Sequence, residues 1–76
     1  RAVRTRPSDL GEQLTMGEAR AGAGSAIRGF VARDPRYPPH LWEKMHHCHE
    51  VPNGPPIVIH YWRNKITGAV EGFKFK

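Results

Sequence analysis

Five histidines are the residues of this 76-residue chain whose chemistry best suits proton transfer. His46, His47 and His49 fall in one short run, and His60 lies in a later run rich in β-branched residues. An imidazole with an unperturbed pKa of about 6.5 can act as an acid or as a base at cellular pH. The same ring can bind a metal ion, so the histidines are candidates for catalysis or for a metal site.

Zinc is the metal that these side chains would suit, but their spacing is poor. His46, His47, Cys48 and His49, together with His60, supply suitable donor atoms. Adjacent residues of a strand point to opposite faces, so only alternate ones could share an ion. The chain has no Cys-x-x-Cys and no His-x-x-x-His spacing. We therefore expect no metal and no other cofactor, and a small buried thiol is the expected role of Cys48.

Metal-independent RNA cleavage uses more of these residues together than any other reaction. It needs a base for the ribose 2′-hydroxyl, an acid for the leaving oxygen and cations for the phosphate charge. The candidate catalytic residues are His60 and Lys74, with His46, His47 and His49 as further candidates. The candidate RNA-binding residues are Trp62, Arg63, Lys65 and Lys76. Trp62 could stack on a base or simply cover the surface by packing, and Arg63 and Lys65 could hold phosphates or form a solvated turn.

Two strand-like runs carry His60 and Lys74. Residues 57–62 are β-branched or aromatic for the most part, and residues 69–75 end in alternating Phe and Lys. The short loop between them, residues 64–68, ends in Gly68, which can adopt a positive φ there. Two such runs around such a loop predict a β-hairpin.

A second turn cluster, residues 52–56, separates a histidine-rich run, residues 46–51, from the hairpin. Pairing Val51 with Ile57 and Trp62 with Val70 gives a three-stranded meander whose side chains alternate in facing. The core face would hold Ile57, Ile59, Tyr61, Phe73 and Phe75, with His47 and His49 at its edge. The opposite face would hold His46, Cys48, Glu50, Val58, His60, Trp62, Gly72 and Lys74, a mixture typical of a functional site. A slip of one residue in the first strand would exchange His46 and Cys48 with His47 and His49.

The N-terminal part of the chain predicts one or two short helices. Ser8 can serve as an N-cap, while Thr15 with Glu18 forms a competing capping box. Residues 18–30 are rich in Ala, but each interior Gly disfavours a helix by about 1 kcal/mol relative to Ala. We expect Leu14, Ile27, Phe30 and Val31 to face the sheet.

Two further segments have simple predicted roles. Residues 1–7 carry three arginines without periodicity and predict a flexible basic arm. Residues 40–45 follow Pro39 and predict a short helix with Leu41, Trp42 and Met45 on its inner side. The fold class is therefore α+β, with one or two short N-terminal helices on a small antiparallel sheet of three to four strands, in a single domain of residues 1–76.

The charge balance favours an anionic partner. Twelve Lys and Arg against seven Asp and Glu give a net charge of +5, which suits nucleic acid, a phosphate-rich surface or an acidic protein. A single cysteine excludes an internal disulfide and is typical of a reducing compartment. No apolar run approaches the roughly 18 residues of a membrane helix. Because the chain begins with Arg1, we expect a fragment or a cleaved domain.

The chain over residues 34–76 resembles the C-terminal toxin domains of bacterial polymorphic toxins, of the contact-dependent growth inhibition and Rhs types. The resemblance lies in the closing pattern Ile-His-Tyr-Trp-Arg-Asn-x-x-Thr-Gly-x-x-x-Gly-Phe-Lys-Phe-Lys, and in Asp34-Pro35-Arg36-Tyr37 and Trp42-Glu43-Lys44-Met45. It implies an RNase of the barnase/EndoU/colicin/RelE group, with the active site on the open face of an antiparallel sheet. It also implies secretion or cell-surface delivery into the cytoplasm of a competing bacterium, RNA such as tRNA as substrate, and a cognate acidic immunity protein.

Two other classes of function stay open from the residues alone. A non-catalytic nucleic-acid-binding module would explain the charge and Trp62 without the histidines. A protein-interaction domain could pair through an edge strand, for which residues 73–76 are the candidate.

Overall fold

The structure is a computed structural model that describes residues 3–30 and 33–76. In this part of the chain, one helix, α1 (Leu10–Arg20), packs on one face of a four-stranded antiparallel sheet. The strands follow the chain order across the sheet: β1 (Ser25–Ala26), β2 (Trp42–His49), β3 (Ile57–Asn64) and β4 (Val70–Phe75). The predicted α+β class, with a helix on a small antiparallel sheet, is confirmed.

Asp9 is the N-cap of α1, and its carboxylate accepts a hydrogen bond of 2.8 Å from the backbone N–H of Glu12. Both predicted starts are therefore wrong. Ser8 instead donates its backbone N–H and its hydroxyl to the Glu12 carboxylate, each at 2.8 Å. Thr15 is a buried residue in the middle of the helix, and its hydroxyl donates a hydrogen bond to the carbonyl of Gly11.

The predicted hairpin is confirmed as β3 and β4. The Asn64 side chain accepts hydrogen bonds from the backbone N–H groups of Ile66 and Thr67, at 2.8 and 3.0 Å, and so shapes the loop. Gly68 closes the loop with a φ of 78°, the left-handed conformation that a residue without a Cβ adopts most readily.

Strand β2 begins earlier than predicted and replaces the helix expected over residues 40–45. Pro38 accepts hydrogen bonds from the N–H groups of Leu41 and Trp42, so only a single turn forms there. Because β3 extends to Asn64, it offers backbone partners as far back as Trp42, and this pairing outweighs the local helix signal.

The register of β2 on β3 differs from the predicted one by two residues, since His49 rather than Val51 lies opposite Ile57. A shift of two keeps every side chain on its predicted face because facing alternates with a period of two. In the second pairing a β-bulge separates His60 from Trp62, and Trp62 lies opposite Glu71 rather than Val70.

The core lies between α1 and the sheet. Met16 and Ala19 from the helix pack against Met45, Ile59, Tyr61 and Phe75 from the sheet. Tyr61 also donates its hydroxyl to the carbonyl of Ala23 at 2.6 Å, just beyond the helix. The predicted core face of the hairpin is thus confirmed.

Most of the N-terminal apolar residues that were expected to face the sheet are exposed instead. Leu14 is 51% exposed and Phe30 is 48% exposed, whereas Ile27 is half-buried. The prediction for Leu14 is wrong because α1 presents Thr15, Met16 and Ala19 inward. Val31 lies outside the described residues.

Arg4, within the segment predicted as a flexible arm, lies beside the edge strand β4. Its carbonyl accepts a hydrogen bond of 2.9 Å from the N–H of Phe75. Its guanidinium forms an ion pair with Glu12 and sits 5.5 Å from the centroid of the Phe75 ring. The first two residues of that segment lie outside the described part of the chain.

Candidate functional site

The sheet face that α1 leaves uncovered brings His46 and His60 together. The two residues are opposite each other in the β2–β3 register, and their ring centroids lie 5.4 Å apart in an edge-to-face arrangement. Lys74 lies opposite His60 on the other side, in β4. The predicted sharing of one face by His60 and Lys74 is confirmed. We call His46, His60, Lys44, Lys74 and Lys76 the histidine–lysine surface.

The three lysines of this surface make it strongly positive. Within residues 3–30 and 33–76, no carboxylate forms an ion pair with any of them. Burial, together with the charges of Lys76 and Lys44, lowers the pKa of His60 to about 4. His60 is therefore neutral at cellular pH and able to accept a proton.

Lys44 is the most enclosed cation of the histidine–lysine surface. Its side chain is buried, and its ammonium lies 4.7 Å from the centroid of the Trp62 ring, in a cation–π contact. Burial lowers the pKa of Lys44 to about 8, with Lys74 and Lys76 acting in the same direction. An anion bound here would therefore relieve charge repulsion among the lysines.

Tyr37 covers Trp62 on this face. The two rings stack with centroids 4.5 Å apart and planes 9° apart, and the Tyr37 hydroxyl donates to Glu71 at 3.0 Å. Trp62 is only 6% exposed as a result. Of its two predicted roles, packing is the one observed, and its ring has no open face for a stacked base.

His47 and His49 lie on the helix side of the sheet, away from His60. One carboxylate oxygen of Glu18 lies 2.7 Å from Nε2 of His47 and 3.0 Å from Nδ1 of His49. The alternation of β2 separates these two rings from His46, so they are not brought into the histidine–lysine surface. Their predicted position at the edge of the core face is confirmed.

Two of the predicted RNA-binding cations also lie elsewhere. Arg63 points to the helix side and forms an ion pair of 2.6 Å with Glu43. Lys65 lies in the β3–β4 loop and donates to the carbonyl of Pro39 at 2.8 Å. Lys76 is the only one of the four predicted RNA-binding residues that belongs to the histidine–lysine surface.

Lys44 and Tyr37 are members of the site region that the sequence reasoning missed. Because a helix was predicted over residues 42–45, Lys44 was not placed on the strand face that carries His46. Extending the alternation of residues 46–49 backward by one pair would have found it. No local signal marks Tyr37, because its contacts with Trp62 and Glu71 are distant in sequence.

Among residues 3–30 and 33–76, no group of three His, Cys, Asp or Glu side chains is placed so that it could hold a metal ion. Across the same residues, no helix has the length and apolar character needed to cross a membrane. No family model, curated protein or solved structure matches this chain.

Proposed function

We propose that this chain is a metal-independent ribonuclease that cleaves RNA through attack of a ribose 2′-hydroxyl. The observation that supports it most directly is the pairing of His46 with His60, whose ring centroids are 5.4 Å apart, inside a cluster of lysines that form no ion pair with a carboxylate of residues 3–30 and 33–76. Two imidazoles beside concentrated positive charge match the needs of phosphoryl transfer, in which proton movement and charge stabilisation dominate.

His60 is the proposed base. Its pKa of about 4 leaves it neutral at cellular pH, which is the form that a base needs. The negative charge of a bound phosphate would raise that pKa and strengthen the base that takes the proton of the 2′-hydroxyl. The 2′-oxygen then forms a bond to phosphorus while the bond from phosphorus to the 5′-oxygen breaks. His46 is the proposed acid that protonates this leaving oxygen, which yields a 2′,3′-cyclic phosphate and a 5′-hydroxyl end.

The lysines are proposed to stabilise the transition state. Lys74 adjoins His60 across the strands, and Lys44 is a partly desolvated cation whose interaction with a phosphate is strengthened by burial. Negative charge that develops on the phosphoryl oxygens would therefore meet cations already in position. Lys76 would extend the same positive surface along the RNA backbone.

The resemblance to polymorphic toxin domains supports a proposal about the biological setting. On that basis the chain is a toxin domain of the contact-dependent growth inhibition or Rhs type, delivered into the cytoplasm of a competing bacterium. Its partners would be cellular RNA and an immunity protein whose Asp and Glu residues cover the histidine–lysine surface.

Incubation of the chain with total RNA in EDTA tests the ribonuclease. Discrete cleavage with 2′,3′-cyclic phosphate ends is the expected result. A salt-sensitive gel shift without cleavage would favour the non-catalytic nucleic-acid-binding module. The lysines of the histidine–lysine surface are consistent with that function as well. Activity that EDTA abolishes and that zinc or magnesium restores would contradict the metal-independent reaction. Neither cleavage nor a shift would favour the protein-interaction domain.

A further inference from the structure

A pocket opens beside the histidine–lysine surface, at the end of the sheet where β2 begins. It has a volume of about 230 Å³, and Phe30, Trp42 and Trp62 form its aromatic walls. Lys44 belongs both to this pocket and to the histidine–lysine surface. Lys65 and Glu43 also line the pocket, and the Glu43 carboxylate is already paired with Arg63. An aromatic cavity with two lysines in its lining is suited to a flat ligand that carries a negative charge.

We propose that this aromatic pocket binds a nucleobase of single-stranded RNA, an inference that rests on the proposed ribonuclease function. Single-stranded RNA is recognised largely by stacking of unpaired bases on aromatic side chains. The phosphate attached to the bound nucleoside would lie against Lys44. The pocket thus selects the nucleotide next to the bond that is cut.

Phe30 and Trp42 supply the stacking surface. The Tyr37 ring stacks on Trp62, and the Lys44 ammonium lies 4.7 Å from the centroid of the Trp62 ring. Trp62 therefore forms a wall of the pocket but offers no face on which a base could stack. Phe30 meets Trp62 edge to face at 5.9 Å and remains 48% exposed. An aromatic ring with about half of its surface open to solvent has room for a stacked base.

The spacing along β2 orders the three parts of the site. Trp42, Lys44 and His46 are alternate residues of one strand and share one face. Alternate residues of a strand lie about 7 Å apart. A base beside Trp42, a phosphate at Lys44 and a reacting ribose at His46 therefore follow one another in a single direction along the strand.

The discriminating experiment compares nucleoside 5′-monophosphates with ribose 5-phosphate, which carries the same sugar and phosphate without a base. Binding to the intact chain is measured by NMR titration of backbone amides. Base stacking predicts that at least one monophosphate binds about 5- to 150-fold more tightly than ribose 5-phosphate. Phe30→Leu, which keeps an apolar side chain but removes the ring, should reduce that ratio toward one while leaving the affinity for ribose 5-phosphate unchanged.

Ile66→Ala is the matched control, because Ile66 is an exposed apolar residue outside the pocket and the ratio should survive its loss. Equal affinity of the wild-type chain for both ligand types, or a ratio that persists in both Phe30→Leu and Trp42→Leu, would overturn the pocket assignment. RNA cleavage measured in parallel separates the two proposals. Base-dependent binding without cleavage would support the base-binding pocket and contradict the ribonuclease proposal. Cleavage without base-dependent binding would support the ribonuclease proposal and contradict the pocket.

Discussion

His46 and His60 lie opposite each other on neighbouring strands, with their rings 5.4 Å apart on the sheet face that α1 does not cover. Their positions are fixed by backbone pairing on both sides of His60, since β3 is an inner strand of the sheet. Groups that exchange protons during a reaction benefit from such rigid support, because small displacements lower the rate.

Loss of either paired histidine should impair RNA cleavage. We expect His60→Ala and His46→Ala each to reduce the cleavage rate about 10²- to 10⁴-fold, as is typical for a general acid or base. Residues that act as a unit give non-additive losses, so the double variant should be little worse than the single ones. Rates are measured on a defined RNA in EDTA.

His40→Ala is the control for these variants, because His40 is exposed in the segment before β2. Its cleavage rate should equal that of the wild type. A folded His60→Ala chain that cuts RNA at the full rate would remove His60 from the mechanism.

The pKa of His60 should respond to the lysines around it. Burial is the largest cause of its low value, about 4, and Lys76 is the largest of the charge effects. Lys76→Gln should therefore raise the pKa while leaving it below about 6.5, because burial remains. A bound phosphate should raise it too. NMR titration of the ring signals measures both, and a pKa that neither change moves would contradict the proposed clustering of charge.

The lowered pKa of His60 should also make the stability of the fold depend on pH. Because the folded pKa of His60 lies below the unfolded value of about 6.5, the unfolded chain binds more protons between those two values. The free energy of unfolding should therefore fall as the pH drops from about 6.5 to about 4. In His60→Ala this part of the pH dependence should be absent, as urea unfolding at several pH values would measure.

Gly72 should tolerate a side chain less well than Gly68. Both have a left-handed φ, 70° and 78°, so an Ala at either position would be strained by about 1 kcal/mol. A Cβ at Gly72 would also lie 3.0 Å from Cδ1 of Trp62 and 3.1 Å from the Tyr37 hydroxyl, whereas Gly68 faces open space.

We therefore expect Gly72→Ala to lower the free energy of unfolding by about 1 kcal/mol more than Gly68→Ala does. Urea denaturation of the two variants gives this difference directly. Equal losses would mean that Tyr37 and Trp62 do not pack against Gly72 as closely as described.

Glu18 should connect α1 to the sheet in a pH-dependent way. Its hydrogen bonds to His47 and then to His49 lower the pKa of the Glu18 carboxyl. The resulting stabilisation is present above the unfolded pKa of about 4.3 and is lost as the pH falls through the lower folded value. Glu18→Gln should thus destabilise the fold at neutral pH and differ less from the wild type in acid.

Glu50→Gln removes a carboxylate just beyond the end of β2, where the side chain is exposed, and serves as the charge-matched control. Its unfolding curve should follow that of the wild type over the whole pH range. A Glu18→Gln chain as stable as the wild type at neutral pH would show that the contacts with His47 and His49 add nothing.

The proposed immunity partner should bind in a salt-dependent manner. If acidic side chains cover the histidine–lysine surface, the association rate should fall as salt rises from about 50 to about 500 mM, because screening shortens the reach of charge. Stopped-flow mixing of the chain with the proposed immunity protein would measure it. Lys74→Gln should weaken the dependence, and a rate indifferent to salt would contradict a charged interface.

The hairpin and the facing of its side chains could be predicted because both depend on local pattern. Ile57, Ile59 and Tyr61 alternate with His60 and Trp62 at the period of a strand, and this pattern survives an error of two residues in register. The position of Lys74 beside His60 followed from the same alternation, although the bulge was not anticipated.

The remaining errors arose where long-range pairing overrides local preference. Residues 42–45 follow two prolines and predict a helix start, yet β3 recruits them into the sheet. The burial of Trp62 depends on Tyr37, which is 25 positions away in sequence and carries no signal of this contact. Tertiary contacts of this kind leave no periodic trace in a single sequence.

The bulge at Gly72 determines which residues of β4 share a face. Glu71 and Lys74 are separated by an odd number of positions, which in a regular strand would send their side chains to opposite faces. With one extra residue between them, both share the face that carries His60. Loss of that one residue would make the strand regular and still leave Glu71 and Lys74 on one face, because they would then be alternate residues. Strand β4 can therefore lose one residue at the bulge and keep its facing, whereas the same loss within the regular pairing of β3 would turn every side chain beyond it to the opposite face.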